Sequence, residues 1–218
     1  MDFGTEIAIA AVLAWASGIR FYLVVFAFGL LQRQGYIALP GDLALLSHDW
    51  VLYASGAMLV GEFLADKIPA FDSVWDAVHT FIRIPGGAAL AYGALGEHGP
   101  AAQFAAALIG GTITTGTHLG KAGLRAAINH SPEPFSNWTA SFAEDGVVVA
   151  GAWLAWQHPW VFLALLLMFL LGLALLLPKL WRFLRALFRR VAFRKKRPPN
   201  TAPADPRNFE SSTTKRQN

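Results

Sequence analysis

Charged side chains that can bind an ion or a proton recur at helical intervals in two segments of this 218-residue chain. The first segment, residues 62–83, contributes Glu62, Asp66, Asp72, Asp76, His79 and Arg83. Most of these residues are three or four positions apart, an interval that places side chains on one face of an α-helix. Carboxylates in such a stripe can bind cations or protons, and a histidine can titrate near neutral pH. An amphipathic helix that only lies at a membrane interface would show the same pattern.

The second segment, residues 118–145, contributes His118, Lys121, Arg125, Glu144 and Asp145. Both segments follow an apolar stretch, and in both a charged stripe is followed by a proline break and then by a Ser-Xaa-Trp sequence, at 73–75 and at 136–138. This shared order predicts an internal repeat whose two copies have the same orientation.

Six acidic residues in or beside apolar stretches are costly if they are buried without partners. One ionised side chain at the centre of a membrane helix costs about 2.5–3.5 kcal/mol on insertion scales. Six would cost on the order of 15–20 kcal/mol, more than the stability of a typical domain. We therefore expect the acids to pair with bases in a polar cluster at the cytoplasmic end of a helical bundle. The available bases are Lys67, Arg83, Lys121 and Arg125.

The remaining composition is that of an integral membrane protein. Hydrophobic residues make up 55% of the chain and charged residues 15%, whereas soluble domains contain about 25% charged residues. We expect an all-α, polytopic transmembrane bundle of about six spans. The predicted spans are residues 7–31, 51–65, 84–96, 101–119, 146–156 and 160–178. Arg20 lies in the middle of the first span, which is expected to be broken there or to pack Arg20 inward.

Basic residues are concentrated near the C-terminus. Residues 1–178 hold 6 Lys/Arg and 12 Asp/Glu, whereas residues 179–218 hold 12 Lys/Arg and 2 Asp/Glu. We predict a transmembrane domain over 1–178, a basic amphipathic juxtamembrane helix over 179–197, and a disordered tail over 198–218. The lipid bilayer is the expected partner, with anionic lipid at the basic tail, and no nucleic acid is expected. The oligomeric state is left open.

The loops predict the orientation of the bundle. With six spans, loops 66–83 and 119–145 share a side with the basic tail and hold four basic residues, whereas the opposite loops hold only Arg33. The positive-inside rule then places both termini in the cytoplasm, and the bacterial inner membrane is the expected location. The acidic start MDFGTE is not typical of a signal peptide, so the first span is expected to remain in the mature protein.

Two runs of sequence carry a family resemblance. They are GEFLADKIPAFDSVWDAVHTFIRIPGGAAL and HLGKAGLRAAINHSPEPFSNWTASFAED. They resemble the signature segments of an uncharacterised membrane family, domain of unknown function 4126, over roughly residues 5–178. The D-K-I-P-x-x-D-x-x-W-D run is the most specific part. The resemblance implies a multi-span integral membrane protein and supplies no catalytic residue.

Three functions fit these residues. A transporter or channel for a small solute or ion would use the polar cluster as its binding site, and short, interrupted spans are typical of such proteins. A structural or regulatory membrane protein would use the cluster to fix its fold. A membrane enzyme acting on a phosphorylated lipid would bind a divalent cation through Asp72, Asp76 and His79. Lys121 and Arg125 would then contact the phosphate, but the sequence shows no convincing nucleophile.

Cofactors and metal centres have little support in the sequence. The six histidines are scattered and none has His-x-x-x-His spacing, so a zinc site is not expected. Cysteine is absent, which excludes disulfides, thiolate metal sites and thiol catalysis. We therefore expect no cofactor, leave the question of enzymatic activity open, and favour transport.

Overall fold

The computed structural model describes residues 1–68, 71–128 and 134–194. All regular secondary structure in these ranges is helical, which confirms the predicted all-α class. The α-helices are α1 (Phe3–Arg33), α2 (Asp49–Ala65), α3 (Phe71–Ala94), α4 (Pro100–Ile128), α5 (Pro134–Gln157) and α6 (Pro159–Arg194), with short 3₁₀ segments at Gly41–Ser47 and Gly96–His98. The chain divides into two compact units, Met1–Leu177 and Pro178–Asn218.

Helix α1 turns back on itself at Arg20. The backbone leaves the helical region there, with φ −142° and ψ 70°. Before the turn, Gly4 packs against the ring of Trp160, at the junction of α5 and α6. After the turn, Leu31 and Gln157 line one cavity, so the second arm returns to the same junction. Both ends of α1 therefore lie at one end of the bundle, which we call the junction end.

The turn of α1 lies toward the opposite end of the bundle, which we call the break end. Arg20 is 1% exposed and contacts Ser141, two turns from the start of α5. The sequence predicted either a break or an inward Arg20, and both occur. A broken helix leaves backbone carbonyl groups without their helical partners. The Nζ of Lys121, on α4, donates to the carbonyl oxygen of Ile19 at 2.9 Å and satisfies one of them.

Helix α3 is longer than the sequence suggested. Residues 72–83 were expected as a separate amphipathic stretch before a short span at 84–96, but Phe71–Ala94 is one helix of 24 residues that continues through Pro85. A proline interrupts one backbone hydrogen bond, yet its φ is helical, and neighbouring helices can stabilise a bundle helix around it. The break between α2 and α3 falls between Ala65 and Phe71, next to Pro69 as expected.

By length and composition alone, Phe3–Arg33 and Pro159–Leu176 are each able to cross a membrane, although α1 reverses at Arg20. A third span results if Gly41–Ser47 and Asp49–Ala65, bent by 70°, count as one. The expected six spans are therefore not confirmed. Helices α3, α4 and α5 contain 24, 29 and 24 residues, so each reaches at least about 36 Å, enough for a ~30 Å hydrocarbon layer. These three helices also carry most of the charged residues described below, which lowers their hydropathy.

Helix α6 does not end at Pro178, where the sequence analysis placed its end. It continues to Arg194, and the Nε of Arg182 donates to the Pro178 carbonyl oxygen at 3.3 Å. As at Pro85, the φ angle of Pro178 is compatible with a helix, so the helix continues through it. The predicted amphipathic face of residues 179–197 falls largely on side chains outside the described part of the chain. Residues 195–218, including the predicted disordered tail, lie outside the described residues.

Candidate functional site

Helices α1 to α5 bring nine charged side chains together inside the bundle, toward its break end. We call this set the buried network. It consists of Arg20, Glu62, Asp66, Asp76, Arg83, Lys121, Arg125, Glu144 and Asp145. Its acidic members come from the last turn and C-cap of α2 and from the first halves of α3 and α5. Its basic members come from the break in α1, from α3, and from the last third of α4.

Arg83 joins α3 to α2. Its Nη2 donates to Glu62 Oε1 at 2.6 Å and its Nη1 to Asp76 Oδ1 at 2.6 Å. The side chains of Arg83 and Glu62 are fully buried, and that of Asp76 is 5% exposed. Asp76 precedes Arg83 by seven residues, two helical turns, so both lie on the inner face of α3.

Arg20 joins the break in α1 to α2 and α5. It forms an ion pair with Asp66, and its Nε lies 2.7 Å from Asp145 Oδ1. Its Nη2 donates to both oxygens of Ser141, the hydroxyl at 2.7 Å and the carbonyl at 3.0 Å. The guanidinium group thus contacts two other helices and holds the break in place.

Lys121 and Arg125 are one turn apart on α4 and share Glu144. Arg125 donates twice to this carboxylate, from Nε at 2.9 Å and from Nη2 at 3.0 Å. This two-bond geometry is the strongest arrangement for an arginine and a carboxylate. Lys121 lies 3.4 Å from Glu144 and 3.6 Å from Asp76, and Arg125 lies 3.7 Å from Asp66. Several carboxylates of the network therefore have more than one basic neighbour.

The two candidate histidines border the network. His79 stacks on Trp75 with ring centroids 4.0 Å apart, and its Nδ1 is 2.8 Å from the Trp75 carbonyl oxygen. His118 Nε2 is 2.6 Å from the hydroxyl oxygen of Thr80. Both side chains are buried, so helix packing fixes their positions.

Lys67 contacts aromatic rings. Its Nζ lies 3.3 Å from the centroid of the Phe63 ring and 4.8 Å from that of Phe142. In the described part of the chain this nitrogen has no hydrogen-bond acceptor. Cation–π contact replaces part of the hydration that the ammonium group loses.

The structure brings ten of the eleven candidate residues to one place, either within the network or at its border. Asp72 is the exception, because its side chain lies outside the described part of the structure. The stripe on α3 faces the bundle, whereas Val74, Val78 and Phe81 are 59%, 59% and 83% exposed. Asp76, His79 and Arg83 therefore face neighbouring helices and do not form the water-facing side expected of a helix that lies at a membrane interface. Burial of the charges was possible because each met partners on neighbouring helices.

Sequence reasoning missed three contributors. Arg20 was recognised as a break in a span but was not assigned to the site, although a lone arginine in an apolar stretch is a strong signal. Both Asn137 and Ser141 are buried on α5. The hydroxyl oxygen of Ser141 accepts a hydrogen bond from Arg20, and the backbone carbonyl oxygen of Asn137 accepts one from Arg125. Neutral polar residues such as these carry no sequence signal of their own. Within the described residues, no group of three or more His, Asp or Glu side chains could hold a metal ion.

These features define an all-α protein with apolar helices of the kind that cross membranes and a charged interior. Residues 7–179 match the model of a domain of unknown function (DUF4126), and the chain belongs to that family. No curated protein and no solved structure matches the chain.

Proposed function

We propose that this protein is an integral membrane transporter or channel for a small solute or ion, and that the buried network is its binding site. The observation that carries the proposal is the break of α1 at Arg20, inside a set of buried charges. Discontinuous helices and buried ionisable residues recur at the binding sites of membrane transporters, where backbone groups freed by the break contact the substrate.

The connectivity of the network supports reversible binding. Glu144 has three basic neighbours, with Arg20 at 3.7 Å and Lys121 and Arg125 closer. Asp66 lies between Arg20 and Arg125. If one ion pair opens, a carboxylate with several basic neighbours keeps another partner. The cost of a buried unpaired charge, about 3–5 kcal/mol, is then avoided during exchange.

We propose that the break end faces the cytoplasm. It carries Lys67, whereas acidic residues dominate the junction end, and the positive-inside rule favours this orientation. Because both ends of α1 lie at the junction end, the N-terminus would then face away from the cytoplasm. The expectation that both termini are cytoplasmic assumed that α1 crosses the membrane once. Location in a bacterial inner membrane and contact of the basic tail with anionic lipid remain parts of this proposal.

Purified protein in liposomes would test transport. Proton and monovalent cation fluxes are measured with entrapped dyes under an imposed membrane potential. We expect wild-type flux above that of empty vesicles, and loss of flux in Asp76→Asn, which removes a charge that contacts Arg83 and Lys121. The matched control is Glu97→Gln, an exposed carboxylate outside the network, which should keep wild-type flux. Equal flux in wild-type and empty vesicles contradicts the proposal.

A structural role is the second candidate, and one observation favours it. The arginines of the network connect α1, α2, α3, α4 and α5 to one another through ion pairs. Such contacts can hold a bundle together without any substrate. If the protein shows no flux while Asp76→Asn melts far below the wild type, the structural function is favoured. A metal-dependent lipid enzyme is not proposed, because Asp76 is already engaged by Arg83 and Lys121.

A further inference from the structure

The charges of the buried network do not balance. It contains five carboxylates and four basic groups. Lys67 is the nearest additional base, and its charge acts on Asp66 and Asp145. Its Nζ contacts aromatic rings and forms no ion pair among the described residues, so it does not compensate Glu62. A buried set of ionised groups with one surplus negative charge carries a large desolvation cost. Binding one proton or one cation removes that surplus.

Two oxygens of the network lack a hydrogen-bond donor among the described residues. They are Glu62 Oε2 and Asp66 Oδ1, one helical turn apart on α2, and both side chains are fully buried. A buried carboxylate oxygen without a donor is unfavourable, whereas a protonated one becomes a donor itself. A proton or cation that neutralises the network would therefore bind at this face of α2.

The two carboxylates differ in their basic neighbours. Asp66 is an ion-pair partner of both Arg20 and Arg125. Glu62 has one ion-pair partner, Arg83, which it shares with Asp76. Positive charge favours the ionised form of a carboxylate, so the less compensated Glu62 is the better proton acceptor.

We infer that Glu62 binds an exchangeable proton on Oε2, and that this proton is the species transported or coupled at the buried network. The inference rests on the proposed transport function and names its ion. With the proton bound, four ionised carboxylates balance four bases. The charged and titratable groups around Glu62 are Arg20 and Tyr22 on α1, Asp66 on α2, Asp76 and Arg83 on α3, Lys121 on α4, and Glu144 and Asp145 on α5, with His79 and His118 at the border.

The most exposed carboxylate of the network marks the side from which a proton would enter. Asp145 is the most exposed acidic side chain of the network, at 30%, and it shares Arg20 with Asp66. In this proposal, a proton from water binds Asp145 first and is then passed to Glu62. The step forms one O–H bond at Oε2 and breaks one at the donating water or acid, and it needs no other reactant.

Infrared spectroscopy of the full-length protein in lipid bilayers tests the inference without any transport assay. We expect the wild type near neutral pH to show the C=O band of a protonated carboxylic acid, with a shift in D₂O and loss at alkaline pH. Glu62→Gln should lack the band. Glu97→Gln should keep it, because that exposed carboxylate lies outside the network.

Thermal stability gives a second, matched comparison on the same helix. Glutamine resembles protonated glutamic acid, so Glu62→Gln should melt close to the wild type. Asp66→Asn is the same chemical change at an equally buried position, but it removes an ionised partner of two arginines and should melt well below the wild type.

Three results would overturn the inference. They are a wild type without the protonated-acid band, a band that persists in Glu62→Gln, and a Glu62→Gln variant as destabilised as Asp66→Asn. A missing band together with stabilisation by Na⁺ would assign the surplus charge to a bound cation instead. A protonated-acid band without any proton or cation flux would support the proton site and contradict transport. Flux without the band would support transport and contradict the proton site.

Discussion

Asp66, at the C-cap of α2, forms an ion pair with Arg20 at the break of α1, and both side chains are almost completely buried. The pair connects the point where one helix ends to the point where another reverses. Because Arg20 also contacts α5, one guanidinium group fixes the relative positions of three helices. The re-entrant shape of α1 therefore depends on a specific charge pairing as well as on apolar packing.

Removal of the Arg20 side-chain charge tests that dependence. Arg20→Met leaves Asp66 and Asp145 without this partner and should lower the free energy of unfolding by about 3–5 kcal/mol. The measurement is a denaturation series on the purified protein in detergent micelles. Arg33→Met is the control, because the Arg33–Asp49 pair is about half exposed and should contribute about 0–1 kcal/mol. A double variant, Arg20→Met with Asp66→Leu, should lose less than the sum of the single losses, and strict additivity would contradict the pairing.

The close approach of α1 and α4 next to the break predicts a requirement for glycine at position 18. A Cβ at Gly18 would overlap the side chain of Thr117 and lie 2.7 Å from the Thr114 carbonyl oxygen, which is part of a helix backbone. Gly18→Ala should therefore destabilise the protein by about 1–3 kcal/mol in the same denaturation series. Gly172→Ala, where nothing lies within 4 Å, should cause no loss. Equal stability of both variants would show that the two helices are not this close.

The turn of α1 predicts the sides of the membrane on which two residues lie. The chain lacks cysteine, so single cysteines at Asp2 and Ile68 can be labelled without background. A membrane-impermeant thiol reagent added outside intact cells should label Asp2→Cys and leave Ile68→Cys unlabelled until the cells are opened. Glu97→Cys, at the junction end, should behave like Asp2→Cys. Labelling of Ile68→Cys and Asp2→Cys from the same side would favour a single crossing by α1.

Lys67 predicts how stability depends on pH. Burial lowers the pKa of its ammonium group below the usual 10.5, and the positive charge of Arg20 lowers this pKa further, against the opposing effect of Asp66. Between the lowered pKa and 10.5 the unfolded chain binds more protons than the folded one, so the free energy of unfolding rises with pH in this window. Lys67→Met should lack this part of the alkaline rise. An identical pH profile in the variant and the wild type would contradict the assignment.

The sequence predicted the pairing of charged side chains, but it did not predict that α1 reverses direction. Opposite charges at helical spacing on two segments, together with the cost of burying them singly, predict that Asp76 lies near Lys121 or Arg125. The structure places Asp76 and Lys121 3.6 Å apart. The reversal of α1 could not be predicted, because hydropathy measures the length of an apolar stretch and not its direction. The non-helical φ and ψ angles of a single residue, Arg20, separate a straight helix from a hairpin.

The prolines also show that sequence alone does not predict where a helix ends. Next to Pro69 the chain does break, whereas α3 continues through Pro85 and α6 through Pro178. Local rules treat these prolines alike, because each lacks the same backbone N–H. Packing around the helix decides the outcome, and a single sequence does not contain that information. Gly86 and Gly87, next to Pro85, pack against Phe21 and Thr114, which supplies such packing for α3.

The partners of Arg20 also determine the order in which the protein can be assembled during synthesis. Asp66 follows Arg20 by 46 residues and Ser141 by 121 residues. At about 5–20 residues per second, the ribosome makes Asp66 roughly 2–9 s after Arg20 and Ser141 roughly 6–24 s after it. The first hydrophobic segment therefore emerges with an arginine whose partners do not yet exist. Its hairpin reaches its final position only after α5 has been translated, so truncated chains that end before α5 should be targets for membrane quality-control proteases.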